Sequence, residues 1–385
     1  MKNWFLWLGG VFNESTMLES SAVSPAANRW QEGLLQGIID QSYPVHLLSY
    51  LPEPLWPRGK YRPGSYDDLN PCFNSRLITY WNMPFLRSHS LCQGHLAAFR
   101  EVCEKKGKPR VVLSYNPTPH AVEVGLEAQK NYQIPWIDIC ADHFHPGPDW
   151  LQYSSGASLA AGHVFLSYQA FQECPFPKKF HLDGGVSQIR FNPEIKPYKE
   201  PKNKKIVLYS GMMSVWGGVS FLLKAFEKIQ DPNIELWICG HGSNSDIKAI
   251  LKRDSRIRFF GLVSESRLQE IYKQASVLVN PRPSKVPGNT MNFPSKILEY
   301  LSYGKPIIST WTSGLSPEYR DVLEILKEET EDCLARTIDN VLHWPDFKIE
   351  CNSNRIYLFL LKKKTWVHQA KKLIEWLEDE ILWIK

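Results

Sequence analysis

Short, apolar, β-rich runs alternate with runs of helical period along most of the chain. In the first half the strand-like runs are NWFLWLGGVF, YPVHLLSYL, SRLITYWNMP, PRVVLSYNP, IPWIDICAD and GHVFLSY. Between them, SPAANRWQEGLLQGIID places Trp30, Leu34, Leu35 and Ile38 on one helical face, and SLCQGHLAAFREVCEKKGK does the same with Leu91, Leu96, Phe99 and Cys103. The second half repeats the rhythm. KIVLYSG, IELWICG, IRFFGLV, SVLVNPR and KPIIST read as strands, and GVSFLLKAFEKI, SDIKAILKR, SESRLQEIYKQA and PSKILEYLSYG as helices. This alternation predicts an α/β protein with mainly parallel sheets covered by helices.

The two halves are separated by RFNPEIKPYKEPKNKK, a stretch from Arg190 to Lys205 rich in Pro, Lys and Asn and without periodicity, which reads as a linker. The expected division is residues 1–195, residues 196–364 and a C-terminal helix over 365–385. A chain of 385 residues fits two domains of ordinary size. In the C-terminal stretch Trp366, Ala370, Leu373, Trp376, Leu377 and Ile381 fall near helical spacing. That face is expected to pack across the domains; the LKKK before it and the tryptophans within it also suit a membrane-surface element.

Composition narrows the field without deciding it. A net charge of +5 suits a phosphate-bearing ligand or an anionic surface, and is too weak to argue for nucleic acid. No recognition-helix, zinc-finger or RNA-binding aromatic pattern accompanies it. The eight cysteines form no C-x-x-C pair, and Cys140 and Cys239 sit in apolar strand-like runs, as expected of buried free thiols in a reducing cytoplasm. The opening MKNWFLWLGGVF is short, holds two glycines and reads as a first strand rather than a signal peptide. No run reaches the ~18–20 apolar residues of a membrane-spanning helix.

The chemistry-bearing stretch is NFPSKILEYLSYGKPII. Pro294 suits the first helical position and Gly304 the end. Ser295 and Lys296 then offer first-turn N–H donors and a cation to a phosphate. Ile297, Leu298 and Leu301 share the apolar face, so Glu299 points away from it and can accept both hydroxyls of a ribose. Taken alone, the segment reads as a capped surface helix with a solvated Lys/Glu pair, and the stretches around it shift that balance. Glycines recur where strands end, in LYSGMMSVWGG with Gly211, LWICGHG with Gly240 and FFGLV with Gly261, and VLVNPRP ends a further strand with Arg282. These are the strand ends at which ligands of such sheets bind.

Taken in order, YSG…GGVSFLLKAF, LWICGHG, IRFFGLVSESRLQEIYKQASVLVNPRP and FPSKILEYLSYGKPIIST resemble the C-terminal nucleotide-binding domain of a GT-B-fold glycosyltransferase, nearest to glycosyltransferase family four, over about residues 205–310. The resemblance implies two Rossmann-like domains facing a cleft, with a C-terminal helix crossing back to the first. It implies retaining transfer of a sugar from a nucleotide-sugar donor, with UDP-sugar expected from family frequency, to a saccharide or lipid-linked oligosaccharide. Glu299 would hold the donor ribose, and Phe293, Pro294, Ser295 and Lys296 would meet the diphosphate or sugar. Backbone at Leu262 and Val263 would meet the base. Gly10 and Asn28 would approach the acceptor or the donor phosphates, with Asp142 at the strand end of DICADHFHPGPDW and His143 beside the donor sugar. The nucleotide sugar is then a substrate, and no cofactor or metal is expected; His143 and His145 lack further ligands at metal spacing. The setting implied is cytoplasmic, or peripheral on the inner face of a membrane.

The chain departs from the family pattern where cations and a second acid are common. Met291 stands where many members place another glutamate, and positions near Met212 and Gly217 stand where many place an Arg and a Lys. Arg282 and Lys296 flank the same loop and are expected to supply the missing charge. Two other functions fit the pattern: a sugar-nucleotide-binding partner without turnover, and another GT-B enzyme such as a nucleotide-sugar epimerase. A dinucleotide oxidoreductase does not, because GHGSNS has Ser245 at its third glycine position and no acidic residue ends the next strand.

Overall fold

The computed structural model describes residues 3–20, 22–141, 156–194, 204–242 and 254–382. It divides into two units: Met1–Gly185 together with Trp366–Lys385, and Val186–Thr365. The N-terminal stretch of the first unit thus runs to Gly185, where the linker reading placed the boundary at 195.

The first unit carries seven parallel strands: β1 (Phe5–Leu8), β2 (Val45–Ser49), β3 (Ser75–Leu77), β4 (Val111–Tyr115), β5 (Trp136–Cys140), β6 (Gly162–Phe165) and β7 (Lys179–His181), in the order β3-β2-β1-β4-β5-β6-β7. The second carries β8 (Lys205–Ser210), β9 (Ile234–Cys239), β10 (Ile257–Gly261), β11 (Val277–Asn280), β12 (Ile307–Ser309) and β13 (Glu324–Ile325), in the order β10-β9-β8-β11-β12-β13. Both orders reverse beside the first strand, as in a doubly wound Rossmann sheet. The central strands are buried along nearly their whole length, with Tyr115 at the end of β4 half-buried, as sheets covered on both faces require.

Helix faces follow the periodicity. Trp30, Leu34, Leu35 and Ile38 of the Pro25–Asp40 helix are all buried. Gly33 and Gly37 share a stripe of that helix, and a Cβ at Gly33 would lie 2.1 Å from the Trp366 indole. The stripe thus seats the Trp366–Trp376 helix against the first unit, with Trp30 and Trp366 edge to face at 5.7 Å. Ala370, Leu373, Leu377 and Ile381 are buried there too. Most of this apolar face is thus spent on packing within the first unit. The neighbouring Lys364 is buried as well, its Nζ 2.6 Å from Glu318 Oε1. The cysteines are all free, with Cys103, Cys140, Cys174 and Cys239 buried.

Candidate active site

In the second unit the strand order reverses between β8 and β11. Four segments meet near their carboxyl ends. The Val219–Glu227 helix begins at Gly218, whose φ is +74°. A Cβ there would lie 1.9 Å from the Pro281 carbonyl oxygen, so only glycine lets the two loops meet backbone to backbone. Gly240 does the same at the end of β9: its N–H donates to the Gly261 carbonyl at 2.8 Å, and a Cβ would fall 1.8 Å from the Gly211 oxygen. Gly211, Gly240 and Gly261 thus bring the ends of β8, β9 and β10 into backbone contact, leaving no side-chain bulk among them.

Arg282 follows β11 after Pro281. Its Nε donates to Asn289 Oδ1 at 3.0 Å, and no carboxylate pairs with it among the described residues. Burial lowers its pKa, opposed by the neighbouring Tyr209. A desolvated guanidinium without a counter-ion favours an incoming anion. Asn289, fully buried, also donates through Nδ2 to the carbonyls of Trp216 and Pro283, each at 2.9 Å. One amide therefore ties the loop after β8, the loop after β11 and the guanidinium together. Thr310 Oγ donates to the Arg282 carbonyl and fixes the backbone from the β12 side.

The chemistry-bearing helix runs Lys296–Leu301. Ser295 N donates to the Phe293 carbonyl at 3.0 Å and Ile297 N to the Pro294 carbonyl at 2.9 Å. Pro294 therefore sits in a tight lead-in turn rather than at the first helical position. Gly304, with φ +65°, follows the helix as expected of a terminating glycine. Ile297, Leu298 and Leu301 are buried and Glu299 lies on the other face, half-buried, with its Oε2 2.7 Å from Lys296 Nζ. The Tyr300 hydroxyl accepts from Ser210 N at 2.9 Å and donates to the Ser210 carbonyl at 3.1 Å. That double bond to the end of β8 holds the Lys296–Glu299 turn at the switch point. Burial raises the Tyr300 pKa well above its ordinary value, so the phenol stays neutral.

The remaining expected residues fall unevenly. Leu262 is 77% exposed just past β10, with Val263 half-buried beside it. Phe293 is buried against Tyr319, ring centres 5.8 Å apart, so its side chain serves packing. Gly217 is not a vacant cation position: a Cβ there would be 2.3 Å from the Tyr209 hydroxyl. In the first unit, Gly9 and Gly10 follow β1 at the other switch point, where a Cβ on Gly10 would strike the Phe12 ring at 2.4 Å. Asn28 is buried and spends both ends of its amide on the Phe12 backbone, at 2.8 and 3.2 Å. Asp142, His143 and His145 lie outside the described residues.

Sequence reasoning missed Asn289, Tyr300 and a buried imidazole pair. The rings of His95 and His120 sit 4.3 Å apart, each edge-on to Tyr50 beyond the end of β2. Burial holds His95 down to about 4 and His120 well below its ordinary value, so both are neutral. Deeper in the same sheet, Asp138, Cys140 and His163 bring ligand-type atoms within 4.8 Å of one another. Ser114 Oγ and Cys140 Sγ donate to the Asp138 carboxyl at 3.1 and 3.0 Å.

Residues 204–343 match the family described as glycosyl transferases group 1. The matched stretch lies within the second unit. It contains the whole Arg282–Asn289 and Lys296–Glu299 constellation. An uncharacterized glycosyltransferase of Methanocaldococcus jannaschii is 26% identical over 186 residues, covering 45% of this chain and 44% of that protein. This chain thus aligns with less than half the length of that relative. Among solved structures, a Rickettsia africae glycosyltransferase matches with TM-score 0.73 at 13% identity, covering 98% of this chain and 99% of that one. The Anabaena protein HepE, solved with UDP, matches with TM-score 0.66 at 13% identity over 97% of this chain and 99% of its own. Sucrose-phosphate synthase of Thermosynechococcus elongatus matches with TM-score 0.65 at 15% identity over 98% of each chain. These likenesses establish the GT-B fold for the two units.

Proposed function

We propose that this protein is a retaining glycosyltransferase that moves a hexosyl group from a UDP-sugar to a saccharide or lipid-linked oligosaccharide in polysaccharide biosynthesis, in the cytoplasm or on the inner face of a membrane. The observation that carries the reading is the pairing, at one switch point, of Arg282, a cation without a carboxylate partner among the described residues, with the Lys296–Glu299 turn that Tyr300 pins to β8. A nucleoside diphosphate complements this set. Its ribose hydroxyls donate to Glu299, which releases Lys296 to the diphosphate, and Arg282 supplies the second cation. Negative charge grows on the diphosphate as the sugar departs, so both cations act most strongly in the transition state. The UDP complex of HepE adds a nucleotide of the same class in the same fold. The reading assigns no resident cofactor or metal, and by family analogy it assigns acceptor binding to the first unit.

The second reading, a sugar-nucleotide-binding partner without turnover, draws on Met212 and Gly217 standing where many relatives carry cations. Incubation with radiolabelled UDP-glucose, UDP-galactose and UDP-N-acetylglucosamine and an oligosaccharide-lipid extract separates the two. The expected result is label in the acceptor, UDP released, and the donor's anomeric configuration kept in the product by NMR. Nucleotide binding with no labelled product overturns transfer in favour of the partner reading. An epimerised nucleotide sugar without transfer identifies the epimerase alternative.

A further inference from the structure

The first unit displays an aromatic and basic surface that neither its core nor the candidate active site uses. Trp56, Tyr61 and Trp81 are each exposed and touch in series, with ring centres 6.2 and 5.3 Å apart. The surface is built rather than loose. Asn82, fully buried between the two loops, donates through Nδ2 to the carbonyls of Pro54 at 2.7 Å and Lys60 at 2.8 Å. Its backbone N–H donates to the Tyr61 carbonyl at 2.9 Å, and its carbonyl accepts from Trp56 N at 3.1 Å. One asparagine therefore sets the spacing of all three rings.

Four residues after Trp81 in the chain, Phe85 is 100% exposed in a left-handed turn with φ +66°, and Leu55 and Leu86 are exposed. A β-carbon side chain in that backbone region is strained, and a fully solvated phenyl contributes nothing to folding. Charge completes the pattern. Arg58, Lys60 and Arg62 are exposed and make no ion pair among the described residues, and Arg62 lies over the Trp81 ring at 5.1 Å. The one carboxylate of that run, Glu53, is half-buried.

We infer that this surface seats the first unit on an anionic lipid bilayer. Trp and Tyr rings suit the headgroup level, exposed Phe and Leu tips suit the acyl boundary, and the unpaired cations meet lipid phosphates. A soluble saccharide would use the flat rings but leaves Phe85 and Leu86 without a role. The inference stands apart from sugar transfer, since it rests on none of the residues in the second unit.

Co-sedimentation of the full chain with phosphatidylcholine vesicles, with and without about 30% phosphatidylglycerol, tests it. The expected result is binding to the anionic vesicles alone, weakened by salt. Binding should fall at least about tenfold in Phe85→Ser/Leu86→Ser and in Arg58→Ser/Lys60→Ser/Arg62→Ser, with circular dichroism and nucleotide binding unchanged. Brominated lipid should quench tryptophan fluorescence less in Trp56→Phe/Trp81→Phe. The inference is overturned if wild type ignores anionic vesicles, or if both surface variants bind them as wild type does. It is equally overturned if the substitutions abolish self-association or oligosaccharide binding and leave vesicle binding intact.

Discussion

Arg282→Ala is expected to lower sugar transfer by about 10²–10³-fold, mainly in kcat, because the guanidinium meets charge that grows as the nucleoside diphosphate leaves. Lys296→Ala should fall in the same range for the same reason. The two positions differ in what else they hold. Lys296 pairs with Glu299 at the half-buried surface, and its loss leaves the fold untouched. Arg282 fills one end of the Asn289 amide, so alanine leaves that oxygen unsatisfied and costs about 1–3 kcal/mol of stability. Arg282→Lys keeps the charge while losing the Nε bond, and should recover part of the rate. Steady-state kinetics on all three, with thermal melts alongside, checks this. Near-normal turnover in Arg282→Ala would remove the guanidinium from the mechanism.

Acid should weaken the first unit well before it protonates most carboxylates. Burial holds His46, His95 and His163 down to about 4, and His120 well below 6.5. A histidine depressed in the folded state stabilises fully above its unfolded pKa near 6.5, and that stability is lost as pH falls from there towards 4. Each of the first three is worth about 3 kcal/mol across that window. Asp138 works the other way. Burial raises it to about 7, so it favours folding below its unfolded pKa and loses that contribution as pH rises. It offsets about 4 kcal/mol of the histidine loss on acidification. The balance is a net loss of several kcal/mol between pH 7 and pH 4. Urea unfolding at pH 7, 5.5 and 4.5, followed by first-unit tryptophan signals, should show it, and Asp138→Asn should steepen the decline. A flat profile, or one that rises with acid, contradicts the assignment of these imidazoles as buried and neutral.

Much of this architecture was readable because parallel strands buried on both faces appear as continuous apolar runs. VVLSY and WIDIC were unmistakable for that reason, while β7 and β13, of three and two residues at sheet edges, announced nothing. The site was legible only where a residue's chemistry and its neighbours' periodicity coincided. Glu299 stood out because it lies on the polar side of a short helix whose apolar face is otherwise plain. Asn289 lies in the short Pro287–Thr290 helix, with no periodic frame to mark it, and its role comes from three contacts distant in sequence or in the neighbouring loop. Asn28 misled for a related reason. An asparagine in the first turn of a helix suggests a ligand contact, yet Phe12, sixteen residues earlier, takes both ends of its amide. The helix start was shifted as well: a proline at the first helical position and one in a tight lead-in turn have the same local sequence.

The proposed function rests on Glu299 holding the ribose of a nucleotide donor. Calorimetric titration with UDP, GDP, ADP and 2′-deoxy-UDP, on wild type and on Glu299→Ala, tests it most directly. UDP is expected to bind wild type more tightly than its 2′-deoxy analogue by about tenfold, the value of one charge-assisted hydrogen bond. Glu299→Ala should bind UDP more weakly and no longer distinguish the two. Absence of nucleotide binding at millimolar concentration, or a variant that discriminates between the two ligands as wild type does, would contradict it.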